Sequence, residues 1–169
     1  MVAEWINVAR RHLPPSGASL KLLDIGGVAG AQLAQQRGDL QITTITGAAA
    51  NWQLAPDSFD AVIAVDHEPD TDFLAASLHA LRPGGRLIVV LAEAEVSAGW
   101  VRRLESAGYT RILVEPALDD ERGLLLRGEK PHTAQRTIDR IAQVAGRDAA
   151  VDLERYTGRY VHLLIRQTP

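Results

Sequence analysis

The sequence predicts an α/β fold: a three-layer, doubly wound, mostly parallel sheet. Short and nearly continuous apolar runs occur at Leu20–Ile25, Phe59–Val65 and Arg86–Leu91, and segments of helical periodicity follow them. The first run leads directly into a glycine turn, Gly26–Gly30, ahead of a helix. Strands that alternate with helices form parallel sheets covered on both faces, and such sheets bind ligands at the carboxyl ends of their strands.

In the first half of the chain, a helix and a strand are predicted before the glycine turn, and a helix, a strand and a loop after it. A helix over residues 3–13 has one apolar face and stops at two prolines, after which the first strand begins. The remaining predictions here are the glycine turn, a short helix Ala31–Arg37 capped by Gly38, a β-branched strand Leu40–Thr46, and a loop Gly47–Ser58.

The second half continues the alternation and ends in a hairpin. The predicted elements are a strand Phe59–Val65, an acidic connector Asp66–Asp72, a helix Phe73–Leu81, a turn Arg82–Gly85, a strand Arg86–Leu91, a helix Val96–Ala107 closed by Gly108, and paired strands Arg111–Val114 and Gly123–Arg127. A helix Thr133–Ala145 and a strand Tyr160–Ile165 follow. We therefore expect one α/β domain over residues 1–130 and a helix–strand extension, residues 131–169, packed on it.

Composition narrows the class of protein. The chain has 169 residues, enough for one domain with a core, and it has no cysteine, so disulfides, thiolate nucleophiles and zinc–thiolate sites are excluded. A net charge of -3 argues against a nucleic-acid partner. No apolar run approaches about 20 residues and the N-terminus lacks a signal-peptide pattern, so we expect a cytoplasmic protein without a membrane partner.

Three motifs occur in an order that is typical of one family. The first, Leu22–Gly30, places Asp24 at the end of a strand and follows it with glycines. The second is Phe59-Asp60-Ala61-Val62, and the third is Leu81-Arg82-Pro83-Gly84-Gly85 ahead of a strand. Together they resemble the class I S-adenosylmethionine-dependent methyltransferases over residues 1 to about 130. The resemblance implies a Rossmann-like methyltransferase fold and a cofactor loop made of Asp24, Gly26, Gly27 and Gly30.

The chain departs from that family at four points. The middle glycine of the first motif is replaced by Val28, whose branched side chain should obstruct the cofactor. No acid occurs between Asp39 and Asp57, although the family carries a ribose-binding acid at the end of the second strand, and Ala48 stands where an acid commonly faces the adenine. Only about 30 residues separate Gly30 from Asp60, so one strand–helix unit is predicted to be missing.

The acidic connector holds the candidates for catalysis. Asp66, His67 and Glu68 follow a core strand, where a catalytic base would lie in this fold. The alternative, which we favour, is structural: Asp70 or Thr71 caps the next helix. The histidines are scattered without metal-ligand spacing, so no metal site is predicted.

These features support three functional hypotheses. The favoured one is a non-catalytic binding or interaction module whose S-adenosylmethionine site is weak or lost. The alternatives are an active methyltransferase that modifies a small molecule, and a site for another nucleotide or sugar-nucleotide ligand. Residues 121–169 carry a net charge of +3 against -6 for residues 1–120. This asymmetry indicates a normally solvated surface or, alternatively, an extension that contacts a protein partner or forms a homodimer.

Overall fold

The computed structural model describes residues 2–15 and 19–132. The chain divides into two compact units, Met1–Lys130 and Pro131–Pro169, and nearly all described residues belong to the first. In chain order the elements are α1 (Val2–His12), β1 (Leu20–Ile25), α2 (Gly30–Gln36), β2 (Leu40–Ile45), a 3-10 turn (Ala49–Asn51), β3 (Phe59–Val65), α3 (Thr71–Ala80), β4 (Leu81–Leu91), α4 (Ala98–Ala107), β5 (Thr110–Pro116) and β6 (Leu124–Glu129). No helix in the described residues is long and apolar enough to cross a membrane.

The strands form one six-stranded sheet in the order β2-β1-β3-β4-β6-β5. The first four strands are parallel, whereas β6 pairs antiparallel with both β4 and β5, which confirms the predicted C-terminal hairpin. Between α2 and β3 the chain contributes only β2 and the short 3-10 turn. The predicted loss of one strand–helix unit is therefore confirmed, and β2 ends the sheet.

Apolar side chains fill two layers, one on each side of the sheet. On one face, Trp5 and Ile6 of α1 and Leu33 of α2 pack against alternate residues of the central strands. On the other face, Phe73 of α3 and Leu104 of α4 do the same. Because both faces are covered, β1, β3 and the second half of β4, Leu87–Leu91, are nearly continuous apolar runs, as expected of buried parallel strands.

Several predicted boundaries needed correction. The turn predicted at Arg82–Gly85 belongs to the long strand β4: Leu81 already pairs with Phe59, and the irregularity is absorbed between Phe59 and Ala61. Gly38 does not cap α2, because Arg37 occupies that position in extended conformation. Gly108 does cap α4, with a left-handed φ of 100°.

The remaining predictions for the C-terminus lie outside the described residues. These are the helix Thr133–Ala145 and the strand Tyr160–Ile165. The expectation that residues 131–169 form an extension packed on the first domain stays a prediction.

Candidate functional site

The loop between β1 and α2 turns on two adjacent glycines. Gly26 and Gly27 have φ values of 84° and 74°, a region that residues with a Cβ rarely adopt. The N–H of Gly26 donates to the carbonyl of Ile45 at 2.8 Å, which ties the loop to the end of β2.

The first acidic residue of the motif supports this loop from inside. Asp24 is fully buried, and its Oδ2 accepts a hydrogen bond of 2.6 Å from the N–H of Gly30, at the start of α2. A Cβ on Gly30 would lie 2.8 Å from that same oxygen and 3.1 Å from Cγ2 of Ile42. Interior packing therefore suffices to explain why residue 30 is a glycine.

The second carboxylate oxygen of Asp24 differs from the first in its hydrogen bonding. Oδ1 is buried and has no hydrogen-bond partner. Burial raises the pKa of Asp24 above its ordinary value, and the N–H groups of Gly30 and Ala29 act in the opposite direction. The loop thus encloses a carboxyl group with one oxygen hydrogen-bonded and the other without a hydrogen-bond partner.

Val28 lies at the tip of the loop. Its side chain is 42% exposed, and its backbone stays outside the left-handed region. The bend is made by the two preceding glycines, so Val28 fits the loop without backbone strain.

The carboxyl end of β2 is occupied by an aromatic side chain. Trp52 is half-buried, and its Nε1–H is shared between the carbonyl oxygens of Thr46 and Gly47, at 3.3 and 3.2 Å. No carboxylate is present between Leu40 and Pro56. Backbone carbonyls at this strand end are therefore bonded to an indole.

Three aromatic rings are in contact between the end of β2 and the end of β3. The ring of Trp52 meets that of Phe73 edge-on, with centroids 5.8 Å apart. His67 stacks on the same Phe73 at 5.3 Å with an interplanar angle of 28°. Sequence reasoning did not single out Trp52; the signal available was a lone aromatic residue in a charge-free loop.

The catalytic candidates after β3 each have structural contacts. Asp66 has a left-handed φ of 57°, and its Oδ1 accepts a 2.9 Å bond from the N–H of Ala92, which joins the ends of β3 and β4. Glu68 forms an exposed ion pair with Arg103 at 3.6 Å. In the described residues none of Asp66, His67 and Glu68 hydrogen-bonds to Asp24 or to the glycine loop.

The helix after this connector begins as the structural alternative predicted. Oδ1 of Asp70 accepts a 2.7 Å bond from the N–H of Phe73 and so caps α3. The role of Asp70 is thus explained by helix capping.

Comparison with known proteins rests on structure alone. No protein-family model matches the chain, and no curated protein matches it in sequence. A chain of the Haloferax volcanii complex between the Trm112 methyltransferase activator and a methyltransferase superposes with a TM-score of 0.64 at 14% identity, covering 76% of this chain and 90% of that one. The chain has the class I methyltransferase fold.

Two further methyltransferases are similar in the same way. Phosphoethanolamine N-methyltransferase 2 of Haemonchus contortus, solved with S-adenosyl-L-methionine, gives a TM-score of 0.59 at 15% identity over 77% of this chain. This chain spans 53% of that enzyme's length. A Thermotoga maritima S-adenosylmethionine-dependent methyltransferase gives 0.52 at 16% identity, covering 76% of this chain and 88% of that one.

Three cavities of this methyltransferase fold lie away from the glycine loop. The largest, about 600 Å³, lies between α1 and the β5–β6 turn, with Asn7, Arg11 and Leu118 among its lining residues. The second, about 330 Å³, lies between α3 and α4, and the third, about 270 Å³, is beside Lys21 and Gln41. The predicted cofactor loop, Asp24–Gly30, lines none of these three cavities. The catalytic candidates Asp66, His67 and Glu68 do not line them either, although the nearby Thr71 lines the second.

Proposed function

We propose that this chain is a methyltransferase-fold module that acts by binding rather than by catalysis, with an S-adenosylmethionine site that is weak or lost. One observation carries the proposal. The end of β2, where the family presents an acid to the cofactor ribose, offers Ile45, Thr46 and Gly47, and the last two have their carbonyls bonded to Trp52. The residues present therefore do not fit the ribose of this cofactor.

The absence of this carboxylate should weaken cofactor binding strongly. Hydrogen bonds to a charged group contribute about 1.5–3 kcal/mol each, and a ribose diol makes two with a carboxylate. Loss of both weakens a micromolar site to roughly millimolar affinity, because each 1.4 kcal/mol is about a factor of ten. Bound cofactor would then be scarce at ordinary concentrations.

The acid and the glycines of the loop do not contradict this proposal. Asp24 and Gly30 bond to each other, and Gly26 and Gly27 supply the left-handed turn that the chain needs between β1 and α2. Each of these four residues has a role in folding that persists without a cofactor.

A protein partner fits such a module. The Haloferax volcanii neighbour was solved together with a methyltransferase activator, so a chain of this fold is known to associate with another protein. We extend association with a protein, but not the identity of the partner, to this chain.

Titration calorimetry with S-adenosylmethionine and with S-adenosylhomocysteine tests the proposal. We expect dissociation constants near or above about 1 mM, and binding tighter than about 100 μM, or roughly −5.5 kcal/mol, would refute it. Two variants test which departure from the family weakens cofactor binding. Thr46→Asp restores a carboxylate at the end of β2 and should raise the affinity, whereas Val28→Gly should raise it only if the valine side chain is the obstruction.

A second candidate is an active methyltransferase that modifies a small molecule. The buried and unpartnered Oδ1 of Asp24, directly beneath the loop, is the observation that favours a polar ligand there. In that case the cofactor binds below 100 μM, and replacing Asp66, His67 or Glu68 by alanine lowers methyl transfer without lowering cofactor affinity.

A further inference from the structure

The outer edge of β2 carries open backbone groups. The carbonyls of Asp39 and Ile45 accept hydrogen bonds from the β1 side, at 2.9 and 2.8 Å. Because backbone direction alternates along a strand, Ile42 and Thr44 point their N–H and C=O groups away from β1. Since β2 ends the sheet, these four groups have no backbone partner among the described residues.

Such an edge is normally protected, and among residues 2–15 and 19–132 none of the usual protection is present at β2. Sheet edges are blocked by lysine, proline, a bulge or a covering segment, since an open edge pairs readily with another strand. The sequence of β2 is Leu-Gln-Ile-Thr-Thr-Ile, without charge or proline, and its register with β1 is regular throughout. The strand has the composition of one that pairs on both sides.

The surroundings of β2 are also depleted of charge. Residues 25–56, which we call the neutral flank, comprise the end of β1, the glycine loop, α2, β2 and the Trp52 loop. They contain only two charged residues, Arg37 and Asp39, which form an ion pair with each other at 2.5 Å. In a chain of which 23% is charged, this is the composition of an interface centre rather than of a solvated surface.

We propose that a second copy of this chain pairs with β2 in antiparallel orientation, across a two-fold axis at Thr43, so that two six-stranded sheets become one. Other registers use groups that already have partners: the N–H of Leu40 donates to Arg37, and the carbonyl of Thr46 accepts from Trp52. An axis at Thr43 places Ile42 opposite the partner's Thr44 and satisfies all four open groups in each copy.

The charge pattern favours a second copy over another protein. A neutral strand with a neutral flank offers nothing to a charged partner, whereas two copies meet without like charges opposite each other. The two-fold arrangement is also self-complementary, as isologous interfaces require. The pairing does not depend on the state of the cofactor site, because its hydrogen bonds are made by the backbone of Ile42 and Thr44 and by no residue of the Asp24–Gly30 loop.

Sedimentation equilibrium of the full chain gives the first test. We expect a mass of twice 18.3 kDa at about 100 μM protein. Thr43→Lys places two cations at the axis and should raise the dissociation constant about tenfold or more. Thr43 is exposed, so this variant should fold normally, and Ser106→Lys on the exposed surface of α4 adds the same charge as the matched control.

Two further measurements test the axis itself. Mixing Thr43→Lys with Thr43→Glu should restore a heterodimer, because opposite charges then meet. In the antiparallel pairing Thr43 faces the partner's Thr43 as a non-hydrogen-bonded pair with Cα atoms about 4.5 Å apart, within the range of a disulfide. The chain has no cysteine, so Thr43→Cys should cross-link under oxidised glutathione while Ser106→Cys does not.

Three results would overturn the proposal. One is a monomer at about 100 μM. Another is a dimer that Thr43→Lys weakens no more than Ser106→Lys does. The last is concentration-independent protection of the Ile42 and Thr44 amides from hydrogen exchange in a monomer, which would assign the edge to another segment of the same chain.

Discussion

Replacing Gly30 by alanine should destabilise the fold even in the absence of any ligand. Gly30 is the first residue of α2, and a Cβ there would come within 2.8 Å of Oδ2 of Asp24 and 3.1 Å of Cγ2 of Ile42. Both neighbours belong to packed strands of the sheet. Neither distance is compatible with an undisturbed contact, so the loop or the strand must shift.

The magnitude follows from two costs and one gain. Overpacking a tight interior costs about 1–3 kcal/mol, and weakening the hydrogen bond from Gly30 to the carboxylate costs about 1.5–3 kcal/mol when the loss is complete. Alanine returns about 0.5–1 kcal/mol of backbone entropy. The expected net loss is about 2–4 kcal/mol, or roughly 4–16 °C in melting temperature for a chain of this size.

Urea unfolding monitored by circular dichroism measures this loss, and Gly38→Ala is the matched control. No atom lies within 4 Å of a Cβ built on Gly38, and its φ lies outside the left-handed region. That variant should be neutral or more stable by up to about 1 kcal/mol. Equal stabilities for the two variants would refute the claim that interior packing requires glycine at position 30.

Three further predictions concern the contacts of Asp24, Asp66 and Asp70. A carboxyl with a raised pKa keeps its proton in the native state after the unfolded chain has released it, so stability falls as pH rises above the ordinary value of 3.8 for Asp24. Asp24→Asn should lack that component, and urea unfolding from about pH 4 to about pH 8 should show the difference moving in favour of the variant; a constant difference would contradict the assignment. Asp66→Ala loses the bond to Ala92 and should cost about 1–2 kcal/mol, whereas Asp66→Asn should stay within about 0.5 kcal/mol because asparagine tolerates a left-handed backbone. Asp70→Ala should lower thermal stability by about 1 kcal/mol and Asp72→Ala by about half as much, since the second loses only a helix-dipole interaction; equal losses would argue against the cap.

The buried strands were predictable because their own sequences indicate a strand without reference to distant partners. Leu20–Ile25 and Phe59–Val65 have the bounds that the sequence predicts, since each is an apolar run limited by residues that break strands. The missing strand–helix unit was predictable from the spacing of two motifs once the family resemblance was taken into account. About 30 residues between Gly30 and Asp60 are too few for two strands and two helices.

Features that depend on distant partners were not predictable in this way. The Pro83–Gly85 segment has the local composition of a turn, but Leu81 pairs with Phe59 and draws the segment into β4. The position of Trp52 follows from Phe73 and from two carbonyls at the end of another strand. A single aromatic residue in a loop carries no period that would reveal such contacts.

The position of Trp52 also gives the molecule an intrinsic optical sensor. Of the three tryptophans, Trp5 is buried in the layer beneath α1, and Trp100 lies under the guanidinium of Arg103 at 4.4 Å. Only the Trp52 indole lies at the carboxyl end of β2, with its N–H on two carbonyls. A molecule that stacks on or displaces that ring should shift its emission, and a shift that Trp52→Phe abolishes would report occupancy of this end of β2 without any label.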